Sequence, residues 1–189
     1  MTLTEFKIPE VKLISCKVYG DPRGFFTERF RQDFFNEIGL SKPFVQENFS
    51  RSSSSVLRGL HFQYNLPQGK LITCISGSIY DVAMDVRANS PTFGQHIAVE
   101  LDGNQPQWFW IPPGFAHGFC VTSKQSADVY YKVDNYYNIK GEEGLIWNDP
   151  DAAIPWPVKS PVLSPKDTQL QSLKQYKINP RFLYQENIL

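Results

Sequence analysis

The chain has 189 residues, a length that predicts one domain with a sizeable buried core. Lysine plus arginine and aspartate plus glutamate each number 19, so the formal net charge is zero. A protein that binds nucleic acid through its phosphates is normally basic, so this balance disfavours that class. It leaves room for a local basic pocket that binds a small phosphorylated ligand.

Cysteine usage and the N-terminal sequence predict the compartment. Cys16, Cys74 and Cys120 are odd in number and far apart, which favours buried thiols in a reducing environment over a disulfide framework. Charged residues interrupt residues 5–12, so no signal-peptide core is predicted there. No apolar run reaches the 18 residues of a membrane span. We therefore expect a soluble, cytoplasmic protein without a membrane partner.

The first fifty residues predict two strands and one helix. Residues 11–19 and 25–30 are typical of strands, and residues 20–24 between them are rich in turn formers. A helix follows, because apolar side chains recur at helical spacing before Gly39, a residue that commonly ends helices. These side chains are Phe30, Phe34, Phe35 and Ile38.

The middle of the chain predicts a mainly β fold. Residues 43–50 are expected to be extended and residues 52–55 to form a loop. Short β-rich runs separated by glycine, proline and asparagine then follow at residues 56–63, 71–76, 79–86, 96–101, 108–111, 119–122, 128–133 and 145–147. Many short strands with regular turn signals and few helices indicate a sandwich or a jelly-roll barrel.

The C-terminal part is predicted to be irregular and then helical. Residues 149–165 are proline-rich, and Ser164 is placed to cap a helix that begins near Pro165. Leu170, Leu173 and Tyr176 would continue this helix, whereas residues 179–189 show no clear pattern. We expect a single domain over residues 1–189, with an N-terminal arm of about 50 residues and a C-terminal tail from about residue 150.

Residues 56–63 contain the most conspicuous polar side chains of an apolar strand. Simple alternation places Leu57, Gly59, His61 and Gln63 on one face. Arg58 belongs to the other face, unless the strand bends at Gly59. A lone histidine in such a strand is more often a packed core residue than a functional one, so this segment alone does not establish a site.

A second histidine completes a recognisable pattern. Pro112-x-Gly114-x-x-His117 resembles the second half of the cupin signature, whose first half usually supplies an H-x-H metal-ligand pair. Here that pair reads His61-Phe62-Gln63, and the nearby Lys70 would repel a divalent ion. The sequence thus predicts a cupin-type β-barrel, a double-stranded β-helix, without its usual metal site.

Such a barrel can still move protons. Removing a proton next to a carbonyl needs a base that titrates near neutrality, as histidine does, and a cation or donor beside the enolate. Inverting a carbon needs a proton source on the opposite face, and Asp167 could orient the histidine. The candidates for the enolate are Arg58, Lys70 and His117, and those for the proton source are Tyr130, Tyr131, Tyr136 and Tyr137.

Several longer motifs carry a family resemblance from about residue 5 to residue 170. They are Gly20-Asp21-x-Arg23-Gly24-Phe25-Phe26-x-Glu28, Gln46-Glu47-Asn48-x-Ser50, Val56 to Gln63, Gln68-Gly69-Lys70-Leu71, Asp81 to Arg87, Ser90 to Gly94, Ile111 to Phe119, Trp147-Asn148-Asp149-Pro150 and Leu163-Ser164-x-Lys166-Asp167. With them the chain resembles the dTDP-4-dehydrorhamnose 3,5-epimerases, cupin-fold enzymes of deoxysugar biosynthesis.

This resemblance implies a set of roles. His61 corresponds to the catalytic base, Asp167 to its partner, Lys70 to the group beside the C4 carbonyl and Tyr131 to the acid on the other face. Tyr137 corresponds to the tyrosine that stacks on thymine. Further positions that would bind the sugar nucleotide are Arg23, Glu28, Gln46, Glu47, Asn48, Arg58, His117, Glu142 and Lys166.

The resemblance also implies a dTDP-linked 4-keto-6-deoxy sugar as substrate, no metal or other cofactor, and a homodimer with strand exchange. The product would be a polysaccharide precursor of the dTDP-rhamnose pathway. Several alternatives stay open at this point. Tyr130 competes with Tyr131, Glu143 competes with Glu142, and a C3-only or C5-only epimerase or a silent sugar-nucleotide binder would share most of these motifs.

Overall fold

The computed structural model describes residues 1–185, which form fifteen strands, two short α-helices and two 3₁₀ turns. The strands are β1 (Thr2–Glu5), β2 (Lys12–Ser15), β3 (Val18–Asp21), β4 (Gly24–Thr27), β5 (Gln46–Ser53), β6 (Leu57–Gln63), β7 (Lys70–Ser76), β8 (Ser78–Asp85), β9 (Arg87–Ala88), β10 (His96–Asp102), β11 (Gln107–Ile111), β12 (Phe115–Val121), β13 (Ser126–Val133), β14 (Glu142–Gly144) and β15 (Phe182–Leu183). The helices are α1 (Gln32–Glu37) and α2 (Leu173–Tyr176), and the 3₁₀ turns span Ile139–Gly141 and Asp167–Gln169.

Two large sheets form the body of the fold, as the prediction of a mainly β barrel required. One has six strands in the order β1-β2-β11-β7-β13-β5, and the other has five in the order β10-β8-β12-β6-β14. The pairs within both sheets are antiparallel. Apolar side chains from both sheets, among them Ile72, Ile79, Phe109 and Phe119, share one core cluster. None of the helices within residues 1–185 has the length and apolar character needed to cross a membrane.

The predicted N-terminal elements are confirmed in kind and corrected in extent. The run at residues 11–19 is interrupted at Cys16, so it forms β2 and then β3, and the turn at residues 20–24 joins β3 to β4 in a hairpin. The helix ends before Gly39, whose φ of +85° is the left-handed conformation that glycine adopts without steric cost. Its phenylalanines pack on the outer face of the six-stranded sheet, as expected of core residues.

Three other boundaries were wrong. Ser52 and Ser53 belong to β5 rather than to a loop, because they pair with the start of β13. The run predicted at residues 145–147 is displaced, since the strand there is β14. The predicted C-terminal helix is two separate pieces, a 3₁₀ turn and α2, and Ser172 caps α2 with a reciprocal bond to Gln175. Part of the pattern-free segment forms β15, and residues 186–189 lie outside the described residues.

Strand β6 bends at Gly59, and this bend decides which side chains face the interior. Gly59 has a φ of +114°, and the register between β6 and β12 shifts from His117 opposite His61 to Phe119 opposite Arg58. A register shift of this kind marks a β-bulge, which re-aims the side chains around it. Simple alternation therefore fails here, and Arg58 joins His61 in lining one cavity.

We predict that Gly59→Ala destabilises the protein strongly. A Cβ at this position would lie 2.6 Å from both the Gly118 Cα and the His117 carbonyl oxygen, and the φ is one that L-residues rarely adopt. The free energy of unfolding should fall by at least ~2 kcal/mol in urea denaturation. Gly20→Ala is the matched control, because its Cβ would meet nothing closer than 3.8 Å. Equal stability of the two variants would contradict the role of the bend.

Candidate active site

A cavity of about 580 Å³ is lined by residues of both large sheets and of the segment 162–167. Its polar lining includes eleven of the residues that the sequence singled out. These are Gln46, Asn48, Arg58, His61, Lys70, His117, Tyr131, Tyr137, Glu142, Lys166 and Asp167. Three cations (Arg58, Lys70 and Lys166) and two carboxylates (Glu142 and Asp167) lie in this lining, so the cavity suits an anionic ligand.

His61 and Asp167 form a hydrogen-bonded pair. Strand β6 carries His61, the 3₁₀ turn carries Asp167, and His61 Nε2 lies 2.6 Å from Asp167 Oδ1. Burial favours the neutral form of Asp167, yet the bond with His61, its charge, and hydrogen bonds from Ser164 and the Gly59 backbone together hold the Asp167 pKa below its usual value. Asp167 is therefore a carboxylate at neutral pH, and a carboxylate orients an imidazole and strengthens it as a base.

Lys70 is the first residue of β7, and its ammonium group titrates unusually low. Loss of surrounding water lowers its pKa to about 8, although Glu142 and Asp81 oppose this effect by favouring the charged form. The group is thus mainly protonated at pH 7 but ready to lose its charge one unit higher. A cation held in such surroundings stabilises a nearby negative charge more than it would in water.

His117 belongs to a second histidine–carboxylate pair. Its Nε2 lies 3.0 Å from Oδ1 of Asp81, a fully buried residue of β8. Burial, with smaller contributions from Lys70 and His61, lowers the His117 pKa, although Asp81 raises it in part. His117 is therefore neutral at pH 7, and Asp81 fixes which of its nitrogens can donate to a ligand.

The structure separates the two candidate tyrosines of β13. Tyr131 lines the cavity, and burial raises its pKa, so it remains a protonated phenol at neutral pH. Tyr130 packs on the outer side of the same sheet, with its ring 5.9 Å from the ring of Trp108. Successive side chains of a strand point to opposite faces, so only one of the two can reach the cavity.

Glu142 and Glu143 are separated in the same way. Glu142 lines the cavity, where its Oε2 accepts hydrogen bonds from Tyr137 at 2.7 Å and from Lys166 at 2.5 Å. Because Tyr137 donates to this carboxylate, its own pKa rises to about 12. Glu143 instead pairs with Arg181, outside the cavity.

The remaining cavity residues form a polar rim. Gln46 donates to Asn48 at 3.0 Å and accepts from the backbone N–H of Tyr137 at 3.0 Å, so it fixes the segment that carries this tyrosine. Arg58 Nε donates to Ser52 Oγ at 2.9 Å, which orients its guanidinium group.

Three predicted binding residues lie outside the cavity of the single chain. Arg23 is exposed at the turn between β3 and β4, where it pairs with Asp21. Glu28 is exposed beside Arg31. Glu47 alternates with Gln46 and Asn48, so it faces the other side of β5 and pairs with Lys132.

Two positions with clear structural roles were not among the predicted site residues. Gln63 uses its amide group fully, since it donates to the carbonyls of Leu66 and Tyr136 and accepts from the N–H of Asn138. Asp81 was in a quoted motif, but its pairing with His117 depends on the alignment of β8 with β12, which the sequence did not reveal.

The donor set does not fit the metal ion that cupin barrels commonly hold. Gln63, at the position of the second ligand, has its amide oxygen and nitrogen bound to backbone groups. Both histidines are paired with aspartates, and Lys70 adds a positive charge to the same cavity. Within residues 1–185, no group of three or more histidine, cysteine, aspartate or glutamate residues could hold an ion.

The fold and the cavity thus define a cupin-type barrel whose polar groups are arranged for proton transfer. The family model for dTDP-4-dehydrorhamnose 3,5-epimerase matches residues 5–175. The dTDP-4-dehydrorhamnose 3,5-epimerase of Shigella flexneri is 47% identical over 169 residues, covering 88% of this chain and 93% of that protein. The chain belongs to the dTDP-4-dehydrorhamnose 3,5-epimerase family.

Two further proteins mark the range of similarity. The crystal structure of dTDP-6-deoxy-D-glucose-3,5-epimerase from Legionella pneumophila, in complex with dTDP-4-keto-L-rhamnose, has a TM-score of 0.93 and 45% identity, covering 97% of this chain and 98% of that one. A dTDP-4-dehydrorhamnose 3-epimerase from Streptomyces niveus is 37% identical over 169 residues, covering 88% of this chain and 81% of that protein.

We predict that Lys70→Met stabilises the folded protein at pH 7. The wild-type ammonium group has a lower pKa in the folded state than in the unfolded state, so the unfolded state binds more protons between about pH 8 and pH 10.5. The wild-type protein should therefore gain stability across this interval, and the variant should not. Thermal unfolding at a series of pH values should show the higher Tm of the variant at pH 7 and convergence at high pH. A lower Tm of the variant at pH 7 would contradict the cost of burying this charge.

Proposed function

We propose that this protein inverts C3 and C5 of dTDP-4-dehydro-6-deoxy-D-glucose and so forms dTDP-4-dehydro-L-rhamnose. The observation that carries the proposal is the position of the candidate base and acid on different sheets. His61, bound to Asp167, belongs to the five-stranded sheet, whereas Tyr131 belongs to the six-stranded sheet. A flat sugar ring held between them has a base on one face and a proton donor on the other.

His61 is the base for both carbons in this proposal. The C4 ketone acidifies the protons on C3 and C5, because the electrons left behind are shared with the carbonyl oxygen as an enolate. His61 takes the proton, and Asp167 stabilises the imidazolium that forms. The proton then leaves His61 for solvent before the second carbon reacts.

Lys70 stabilises the enolate. Its ammonium group is mainly charged at pH 7, and its pKa of about 8 makes it a stronger hydrogen-bond donor than an ordinary lysine. Tyr131 returns a proton to the opposite face of each carbon and is replenished from water. Burial keeps its phenol protonated until that step.

The rest of the cavity binds the nucleotide. Arg58 and Lys166 supply positive charge for the diphosphate, and neutral His117 supplies a donor. Tyr137, fixed by Gln46 and Glu142, presents an aromatic ring on which thymine stacks. Asn48 and Glu142 contribute hydrogen-bonding groups at the same rim.

A C3-only epimerase is the second candidate. The similarity to the Streptomyces niveus 3-epimerase favours it, because the identity there is still 37%. A C5-only enzyme and a silent binder share the cavity lining as well. Deuterium uptake distinguishes all of them, because each carbon that is deprotonated in D₂O acquires its own label.

We predict that the wild-type protein, incubated with dTDP-4-keto-6-deoxyglucose in D₂O, incorporates deuterium at both C3 and C5. NMR follows each carbon, and a downstream reductase traps the L-lyxo product. Label at C3 alone would replace the main proposal by the 3-epimerase. No label, together with tight nucleotide binding, would indicate the silent binder.

Two variants assign the groups in the same experiment. His61→Asn should lower exchange at both carbons by about 10²–10⁴-fold, the usual contribution of a general base. Tyr131→Phe should reduce inversion at the two carbons unequally while exchange by His61 continues. Tyr130→Phe is its matched control, because that ring packs outside the cavity. Equal activity of Tyr131→Phe and the wild type would remove the acid assignment.

We also propose that two copies of this chain form a homodimer in which Arg23 and Glu28 serve the cavity of the partner. The hairpin of β3 and β4 exposes Tyr19, Phe25 and Phe26, with 53%, 65% and 68% of their surface accessible. Apolar side chains clustered this way are typical of an interaction surface. An interface there explains why two predicted binding residues lie far from the cavity of their own chain.

We predict that the protein sediments as a dimer in analytical ultracentrifugation and that Phe25→Asp with Phe26→Asp yields a monomer with reduced activity. Charges at these positions would oppose burial against a second copy. Asp33→Lys changes charge on an exposed surface near the hairpin and serves as the control for charge alone. A wild-type monomer with full activity would overturn this assembly.

Two smaller proposals concern organisation and location. Residues 1–189 form a single epimerase domain, which the common core of the two large sheets supports. The protein acts in the cytoplasm, where thiols stay reduced, and its three cysteines are buried and free.

A further inference from the structure

The segment after α2 packs against the outer face of the five-stranded sheet. Strand β15 pairs in parallel with β9, and the Tyr184 N–H donates to the Ala88 carbonyl at 2.8 Å. The rings of Tyr176 and Phe182 lie 5.4 and 5.8 Å from the ring of Phe62 in β6. This segment is therefore attached to the strand that carries His61.

Arg181 makes the polar contacts of this segment. Its Nη2 and Nε lie 2.6 and 2.8 Å from Glu143 Oε1, and its guanidinium carbon lies 4.7 Å from the centre of the Tyr64 ring. Its backbone N–H donates to the Tyr176 hydroxyl, which in turn donates to the Val86 carbonyl in the buried interior. Both partners of the ion pair are partly buried, so this contact is shielded from solvent more than an ordinary surface pair.

Each residue that the Arg181 side chain contacts is next to a residue of the cavity. Glu143 follows Glu142, and Tyr64 follows Gln63, while Glu142 and Gln63 are themselves paired in register between β14 and β6. Strand β14 has three residues and forms the edge of its sheet. Because so short an edge strand has few hydrogen bonds of its own, a side chain that ties it to the neighbouring loop restricts its movement.

We propose that Arg181 is a positioning residue for the nucleotide end of the cavity. It connects Glu143 to Tyr64 and thereby holds Glu142, the carboxylate that fixes both Tyr137 and Lys166. The inference rests on the proposed function, because those two side chains are assigned there to the nucleotide. Arg181 lies beyond the part of the chain that the family model matches, residues 5–175, so this contact is not part of the shared family pattern.

Arg181→Ala should weaken binding of dTDP by about three- to tenfold in isothermal titration calorimetry, because a pairwise coupling of ordinary size is removed. In steady-state assays KM should rise by a similar factor, whereas kcat should stay within about twofold, because His61, Lys70 and Tyr131 are untouched. Arg181→Lys should restore part of the affinity, since it keeps a cation near Glu143. Glu143→Ala should have the same effect as Arg181→Ala, and the double variant should show no further loss.

Lys177→Ala is the matched control. Lys177 belongs to the same segment and also places its cation over a ring, that of Phe93 at 5.9 Å, but this ring belongs to no residue of the cavity. Its removal should leave the dTDP affinity and KM unchanged. Thermal unfolding of every variant shows that each is folded at the assay temperature.

Unchanged dTDP affinity in folded Arg181→Ala would overturn the proposal, as would a fall in kcat at constant KM or additive losses in the double variant. The calorimetric measurement is independent of turnover. If the wild-type protein binds dTDP but does not label the sugar, the epimerase proposal fails while the comparison of affinities still decides the role of Arg181. If the sugar is labelled and Arg181→Ala binds as the wild type does, only the positioning role fails.

Discussion

The hydrogen bond between His61 and Asp167 joins two parts of the chain that lie 106 residues apart, and the arrangement of the cavity depends on it. A buried carboxylate is costly unless hydrogen bonds and an opposite charge compensate for lost water. Asp167 has both, because Ser164 and the Gly59 backbone donate to it beside His61. The 3₁₀ turn is therefore held against β6, and the segment 162–167 that leads to it lines the cavity.

The bend at Gly59 contributes to the same bond from the other side. Without it, regular alternation would direct Arg58 away from His61. The bulge brings both side chains into one cavity and presents the Gly59 backbone to Asp167. A local irregularity of the strand thus supplies the cation that the family resemblance assigns to the nucleotide, together with part of the support for the base.

The sequence predicted the β-barrel, the helix before Gly39 and most of the cavity, because turn residues, short apolar runs and the long motifs all indicated the same fold. It could not choose between Tyr130 and Tyr131, since both faces of β13 bury aromatic side chains. Only the pairing of Tyr131 with Asn48 of β5 gives the answer. The position of Glu47 could have been found, because alternation with Gln46 and Asn48 already places it on the other face. The strand at Glu142–Gly144 was missed because glutamates and a glycine carry no β signal, and its existence depends on pairing with β6.

The late position of Asp167 also has a consequence for biosynthesis. A ribosome makes the chain from its N-terminus, so β6 through β13 emerge well before the 3₁₀ turn. The barrel strands can then begin to pair while the partner of His61 is still unmade, and contacts between residues this far apart in sequence form slowly. A nascent chain therefore has no complete catalytic dyad until its last fifth has been synthesised and docked. The interior that will bind the sugar nucleotide takes shape before the chemistry that acts on it.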